Sequence, residues 1–391
     1  MVYGIISAKV IVGNREDTVN SQSFGRAAEL LRELHDFGTT EPYRAAVSAA
    51  VLARISPENH SNDDIVAHEF YNVLLNHRLD TGYLVVEQFV VERDDLSDAD
   101  RTMLLGWRNN FKGLFEIKEV LVDGLRLFNH IDELTYAIRT ARGEDALSLL
   151  SSGMLIIGRL ASWADEWIFM GSAQTFIAEA AEAQLAKVPR LQRENPDLVF
   201  RNPAKLAEGW KLQAAQRADF IAYHGSDTVM VHGSQAHDAW TVSYRQSCLD
   251  AGRAWNEEAF PPLSEAITGS DDVTLIFDEV DGLSFYVNYA TVRAVFADPD
   301  LVDEPPYRDA VVTYLHNDAF PPVPLARLAA AYPHNASRLF AKLLRKPDFS
   351  WERDGDNVLR KAKARWYAGP RLPRVVPIST EVTEHIWPRA T

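Results

Sequence analysis

The sequence predicts an α+β protein that is mostly helical, with a small five-stranded β-barrel of SH3-like or OB-like type at its centre. Apolar residues recur at helical spacing over most of the chain. Residues 112–171 instead hold five short segments rich in β-forming residues, separated by turn signals. Residues 325–374 have the order helix, break, helix, short strand and helix, which predicts a C-terminal helical module resembling a winged helix.

These changes of pattern divide the chain into five predicted parts. Its 391 residues are enough for about two or three hydrophobic cores. The parts are an N-terminal strand and helical region (1–110), the barrel (111–172), a helical region (173–260), a hairpin and helix connector (261–322), and a basic helical module with an extended tail (323–391).

The first part is expected to begin with a strand inside Met1–Val10 and to continue as helices. Asn62 and Ser97 are typical N-cap residues and mark two of the helix starts. The predicted helices are Phe24–Phe37, Pro42–Ile55, Asn62–Leu79 and Ser97–Trp107.

The barrel is predicted from alternating apolar residues and from turns such as Asp123-Gly124. Its expected strands are Gly113–Val120, Leu125–Asn129, Leu134–Thr140, Met154–Ala161 and Glu166–Met170. Residues 112–171 contain six basic and nine acidic side chains, the opposite of the balance that a phosphate-binding groove needs. A structural or protein-contacting role is therefore the preferred interpretation of the barrel.

Beyond the barrel, helical periodicity returns and is broken by short strands. Cys248 falls on the apolar side of the predicted helix Gln235–Glu258 and is expected in the core. Asp281-Gly282 predicts a hairpin between Val273–Phe277 and Leu283–Val287. The remaining predicted elements are helices Gln174–Lys187, Ala204–Tyr223 and Gln235–Glu258 and the strand Thr228–Val231.

The C-terminal elements are predicted to be helices separated by proline breaks, followed by an extended tail from Gly369. Phe349–Arg353 is expected to form the short wing strand. The helices are Pro306–His316, Leu325–Tyr332, Asn335–Arg345 and Asp356–Tyr367.

Composition predicts a cytoplasmic protein without a membrane partner. Cys248 is the single cysteine, so neither a disulfide framework within the chain nor a multi-thiolate zinc site is expected. No apolar run approaches the roughly 18 residues of a membrane span, and the N-terminus lacks the pattern of a signal peptide. The formal charge of −15 disfavours nucleic acid or an anionic membrane as a partner of the whole surface. The composition predicts no particular oligomeric state.

One cluster of residues has the chemistry of a catalytic or metal site. His224, His232, His237 and Asp238 combine imidazole and carboxylate groups, which serve as metal ligands or as a base and its orienting partner. Their spacing does not place them on one helix face, so surface or capping roles are the preferred alternative.

Asp278, Glu279 and Asp281 could bind a divalent cation, but a hairpin turn is the preferred interpretation. The sequence has no Walker A motif, dinucleotide-binding turn, nucleophile elbow or zinc-protease motif. No cofactor or metal is therefore expected.

Charge placement is the main indication of function. Residues 325–374 hold twelve basic and four acidic side chains, whereas the first 324 residues have a net charge of −22. The cations expected to contact nucleic acid or an acidic partner are Arg338, Lys342, Arg345, Lys346, Arg360, Lys361, Lys363 and Arg365. Docking of this module against the acidic body of its own chain is the alternative.

Segments between residues 97 and 366 resemble a poorly characterised bacterial group whose members often end in a SEC-C type zinc module. The resemblance rests on Gly113–Ile117, Trp167–Gly171, Asn195–Pro203, Tyr314-Leu315 and Pro347–Gly355. It implies a shared scaffold and a bacterial cytoplasmic protein. The zinc module is absent, because no cysteine follows Lys346.

The leading functional hypothesis is a non-enzymatic binding or scaffold protein that contacts nucleic acid or an acidic protein surface through its basic module. The alternative is an enzyme of unfamiliar type, with or without a metal, that uses the cluster formed by His224, His232, His237 and Asp238.

Overall fold

The computed structural model describes residues 7–8, 19–60, 62–139, 147, 149–171, 173–250 and 260–378. The chain forms two compact units, residues 1–202 and residues 203–391. Their boundary falls inside the segment 173–260 that was predicted as one helical region.

The N-terminal unit begins with a layer of helices. Asn62 caps one of them by accepting a hydrogen bond from the Ile65 amide at 3.2 Å. Ser97 and Asp100 form a reciprocal capping box at the start of another. The described elements are strand β1 (Ser7–Ala8), helices α1 (Val19–Thr39), α2 (Arg44–Leu52), α3 (Asp63–Asn76), α4 (Val85–Glu92) and α5 (Asp98–Gly106), and a 3₁₀ turn (Pro57–Asn59).

A mixed sheet follows the helices, and it includes all five strands predicted for this region. The strands are β2 (Asn110–Val120), β3 (Gly124–Asn129), β4 (Thr135–Arg139), β5 (Leu155–Trp163), β6 (Glu166–Phe169) and β7 (Ala173–Phe176). Their order with β1 is β1-β7-β5-β2-β3-β4-β6, and β6 pairs with β5 as well as with β4. The start of the predicted helix Gln174–Lys187 is wrong, because Ala173–Phe176 pairs with β5 as a strand.

Two apolar clusters cover strand β5, one near each of its ends. Ala161 and Trp163 belong to the core of the helical layer. Leu155 packs with Leu114 and Val188 in a second apolar cluster. The helices after the sheet are α6 (Ala178–Leu185), α7 (Val188–Glu194) and α8 (Pro196–Val199).

The C-terminal unit is built on a three-stranded antiparallel sheet in the order β10-β9-β8. Its strands are β8 (Thr228–Val231), β9 (Val273–Asp278) and β10 (Gly282–Val287). Its helices are α9 (Pro203–His224), α10 (Ala236–Asp250), α11 (Glu265–Thr268), α12 (Tyr289–Ala297), α13 (Pro305–His316), α14 (Val323–Ala331), α15 (Pro333–Leu344), α16 (Trp351–Ala362) and α17 (Ala364–Tyr367), with 3₁₀ turns at Gly233–Gln235 and Pro299–Asp303.

Strand β9 is buried on both faces, which explains its continuous apolar sequence. Leu275 and Phe277 pack with Phe220 on one face. Ile276 packs with Tyr286 and the C-terminal helices on the other. The predicted hairpin is confirmed, since Leu283 pairs with Phe277 in the antiparallel register.

The predicted wing strand at Phe349–Arg353 is wrong, because helix α16 begins at Trp351. Phe349 and Trp351 instead pack against Phe340 of α15, with ring centroids 6.0 and 4.6 Å away. Cys248 is half-buried on α10. Residues 251–259, the end of the predicted helix Gln235–Glu258, lie outside the described residues.

Among the described helices, none is both long enough and apolar enough to cross a membrane.

Candidate functional site

The three clustered histidines lie on different local structures. His224 ends α9, where its Nε2 is 3.0 Å from the Ala239 carbonyl oxygen and its ring packs against Phe220 at 4.5 Å. His232 caps the next 3₁₀ turn, since its Nδ1 accepts a hydrogen bond from the Ser234 amide at 3.3 Å.

His237 and Asp238 lie in the first turn of α10, where a carboxylate is favoured by the helix dipole. The His237 ring lies 5.8 Å from that of Trp240. Over the described ranges, no group of three or more His, Cys, Asp or Glu side chains is arranged to hold a metal ion. The structure therefore gives His224 and His232 local contacts and does not bring the cluster together as a metal site.

The acidic segment after β9 forms a turn whose carboxylates are already engaged. Asp278 accepts hydrogen bonds from the amides of Val280 and Asp281 at 2.9 and 3.1 Å. Arg327 binds Asp278 at 3.0 Å, and Arg371 binds Asp281 at 2.5 Å. These contacts fit the turn interpretation, because arginines occupy the positions that a cation would need.

Half of the predicted basic residues have partners in their own unit. Arg338 lies 3.4 Å from Asp300, while Lys342 contacts both Asp300 and Asp303 at 2.7 and 2.8 Å. The helix expected to present these cations to nucleic acid thus directs two of them at the Pro299–Asp303 turn.

Two further predicted cations are also engaged. Arg360 pairs with Asp356 at 2.6 Å and lies over the Tyr367 ring at 4.7 Å. Lys363 has no exposed surface and donates to the Asn317 carbonyl at 2.6 Å. Burial lowers the pKa of Lys363.

The other four predicted cations, Arg345, Lys346, Lys361 and Arg365, are exposed. None of their side chains has a hydrogen bond or an ion pair with another residue of the described part. These four side chains remain available to a partner.

Another pair of cations, absent from the predicted site residues, lies on the sheet of the N-terminal unit. Lys112 on β2 stands directly opposite Arg159 on β5 in the antiparallel register. Side chains so placed have Cβ atoms about 4.5–5.5 Å apart, and like charges there repel each other. Arg159 is only 7% exposed, whereas the Lys112 side chain is exposed.

A series of hydrogen-bonded side chains leads from helix α3 to Arg159. Asn72 donates to Glu69 at 2.8 Å, Asn76 donates to Asn72 at 3.0 Å, and Asn76 and Asn110 exchange hydrogen bonds at 3.0 and 3.1 Å. Arg159 then donates from Nη1 to Asn110 at 2.6 Å. Glu69, Asn72 and Asn76 share one face of α3 because they are three and four residues apart.

The cation pair lacks a neutralising partner. Within the described ranges, Nη1 makes the one hydrogen bond of the Arg159 guanidinium, and the buried Nε has no acceptor. Lys112 has neither a hydrogen bond nor an ion pair there. Glu69 acts on both cations electrostatically without reaching ion-pair distance.

Burial weakens the charged form of both groups. It lowers the pKa of Arg159 to about 10, with Glu69 acting in the opposite direction. Burial also lowers the pKa of Lys112; Glu69 opposes this effect and Arg159 adds to it. A buried arginine beside a second cation, with one carboxylate nearby, forms an arrangement that an added anion would stabilise.

A sequence signal for Arg159 exists, since it is the single charged residue of the segment Leu155–Trp163. A charge in an otherwise apolar strand calls for an explanation. Its partner Lys112 could not be identified in this way, because the pairing depends on the register between two strands that are distant in sequence.

No protein-family model, curated protein or solved structure matches this chain. The chemistry of the candidate site therefore comes from its own residues.

Proposed function

We propose that the chain is a non-enzymatic binding protein whose N-terminal unit takes up a small anionic ligand between Lys112 and Arg159. One observation carries this proposal: the buried Arg159 and the exposed Lys112 face each other across β2 and β5, and neither side chain has an ion-pair partner in the described residues. A buried charge without a counter-ion lowers the free energy of unfolding, and a bound anion would offset that loss.

The geometry favours a carboxylate or phosphate of a small molecule over a polyanion. Asn110 holds Nη1, which leaves Nη2 of Arg159 and the Lys112 ammonium as donors on neighbouring strands. A nucleic acid backbone would need a longer row of free cations. On the adjacent strands, Arg126 and Arg139 are already paired with Glu119 and Glu166.

We further propose that the scaffold of this site is a closed five-stranded barrel of the OB-like type. Strand pairing runs β2–β3–β4–β6–β5 and returns to β2, which supports closure. The insertion of β6 between β4 and β5 gives a Greek-key order, which favours the OB-like alternative.

Titration calorimetry with oxalate and inorganic phosphate tests the anion site. We expect wild-type protein to bind at least one of them at one site per chain, and Arg159→Gln or Lys112→Gln to weaken binding about tenfold or more through loss of a charge-assisted hydrogen bond. Lys118→Gln is the matched control, because Lys118 lies on the same strand but is paired with Glu116 at 2.6 Å. Unaltered binding by Arg159→Gln, or no binding by the wild type, would overturn the proposal.

A second candidate function uses the C-terminal module, whose Arg345, Lys346, Lys361 and Arg365 are exposed and unpaired within the described residues. We propose that these four cations contact nucleic acid or an acidic protein surface. Such a contact should weaken steeply with added salt.

Fluorescence anisotropy of the full chain with labelled duplex DNA and with labelled polyglutamate at low salt tests this second function. Replacing all four cations by Gln should abolish binding of whichever probe binds. Arg338→Gln/Lys342→Gln should not, because those side chains are held by Asp300 and Asp303. Failure of the wild type to bind both probes counts against the proposal.

A further inference from the structure

Lys112 has the surroundings of a reactive amine. Within the described ranges, no carboxylate lies within ion-pair distance of its ammonium, and a buried arginine stands directly opposite. A lysine that is desolvated or placed beside another cation loses its proton more readily and becomes a nucleophile towards carbonyl groups. The lowered pKa of Lys112 agrees with this placement.

The side chain of Lys112 also keeps contact with solvent, so a reactant can reach it. Arg159 is held in place by Asn110 and has one terminal nitrogen, Nη2, without a hydrogen-bond partner in the described part. A carboxylate bound there would lie next to the amine, because the two residues are cross-strand neighbours.

We propose that the ligand of this site is a 2-oxo acid, whose carboxylate binds Arg159 and whose adjacent carbonyl carbon forms a reversible imine with Lys112. The inference rests on the anion site proposed above and specifies its ligand. In a 2-oxo acid the carboxylate and carbonyl carbons are directly bonded, which suits two side chains that are cross-strand neighbours.

The step balances without an added oxidant or reductant. The neutral amine of Lys112 attacks the carbonyl carbon, and the carbonyl electron pair moves to oxygen to give a carbinolamine after proton transfer. Loss of that oxygen as water then forms the carbon–nitrogen double bond. The imine takes one proton from solvent, and hydrolysis reverses the sequence.

Reductive trapping of the full chain tests the inference. The protein is incubated with pyruvate and cyanoborohydride, digested, and mapped by mass spectrometry. We expect one saturable adduct at Lys112, slowed about tenfold or more by Arg159→Gln and competed by oxalate. Acetaldehyde has the carbonyl but lacks the carboxylate, so Arg159→Gln should slow its trapping at Lys112 much less than it slows the trapping of pyruvate.

Adducts spread over the lysines according to their exposure, or equal trapping at Lys112 in Arg159→Gln, would overturn the inference. The wild-type peptide map decides the question even if a variant fails to fold. Oxalate binding without an adduct would refute the imine and leave the anion site standing. Absence of both would refute the anion site as well.

Discussion

Arg159 has more hydrogen-bond donors than the fold uses. Its side chain is 93% buried, yet within the described part it donates one hydrogen bond, to the neutral amide of Asn110. A buried charge without an ion pair normally destabilises a fold. The proposed anion site gives this charge a role that stability alone does not.

We expect Arg159→Met to leave the fold as stable or to make it more stable, by up to about 1 kcal/mol, and to abolish anion binding. The physical reason is that a methionine of similar length removes the desolvated charge and keeps the apolar packing. Urea unfolding followed by circular dichroism gives the stability, and calorimetry gives the binding. A loss of more than about 2 kcal/mol would assign Arg159 a structural role instead.

At the residue scale, the sequence indicates the local role of a side chain better than it indicates the partner of that side chain. His232 caps a 3₁₀ turn, and the Asp278 carboxylate accepts a hydrogen bond that holds the turn after β9. These are the capping and turn roles that the sequence favours for the two residues. The contact of Lys342 with Asp300 and Asp303 depends on a turn 39 to 42 residues earlier in the chain. Local spacing contains no information about such a contact.

At the element scale, Arg327 ties helix α14 to the sheet of the C-terminal unit. Its guanidinium binds Asp227 at 3.1 Å and Asp278 at 3.0 Å, linking the residue before β8 with the end of β9. Burial alone would raise the pKa of both carboxyls, but Arg327 and other hydrogen-bond donors hold each pKa below its ordinary value.

Arg327→Met is therefore expected to destabilise the protein by about 2–3 kcal/mol at neutral pH, because it leaves two partly buried carboxylates without their shared cation. Carboxyls with lowered pKa stabilise the fold above their unfolded pKa and lose that contribution as the pH falls. The difference between wild type and variant should thus shrink as the pH falls through the range below about 4. Urea unfolding at several pH values measures it, and a difference that is constant with pH would contradict the account.

Strands with strong local signals could be predicted, whereas elements fixed by tertiary contacts could not. The five strands β2 to β6 combine β-forming residues with turns such as Asp123-Gly124. Strand Ala173–Phe176 has only four residues, and it exists because it pairs with β5 and β1. The expected wing strand has aromatic residues, but those rings are buried against Phe340 rather than arranged in a sheet.

At the scale of the whole molecule, both units have a net negative charge. Residues 1–202 contain 20 basic and 30 acidic side chains, and residues 203–391 contain 20 and 25. The basic module predicted to stand apart from an acidic body belongs to the second unit, whose own aspartates engage Arg327, Arg338, Lys342 and Arg371. Internal pairing thus accounts for much of the charge asymmetry seen in the sequence.

The cation pair of the first unit is different, because it has no comparable partner in the described residues. A crystal structure of the full chain grown with saturating oxalate tests the anion site most directly. We expect an oxalate carboxylate in contact with both Lys112 Nζ and Arg159 Nη2. Oxalate bound only elsewhere, with the Lys112–Arg159 pair empty, would contradict it.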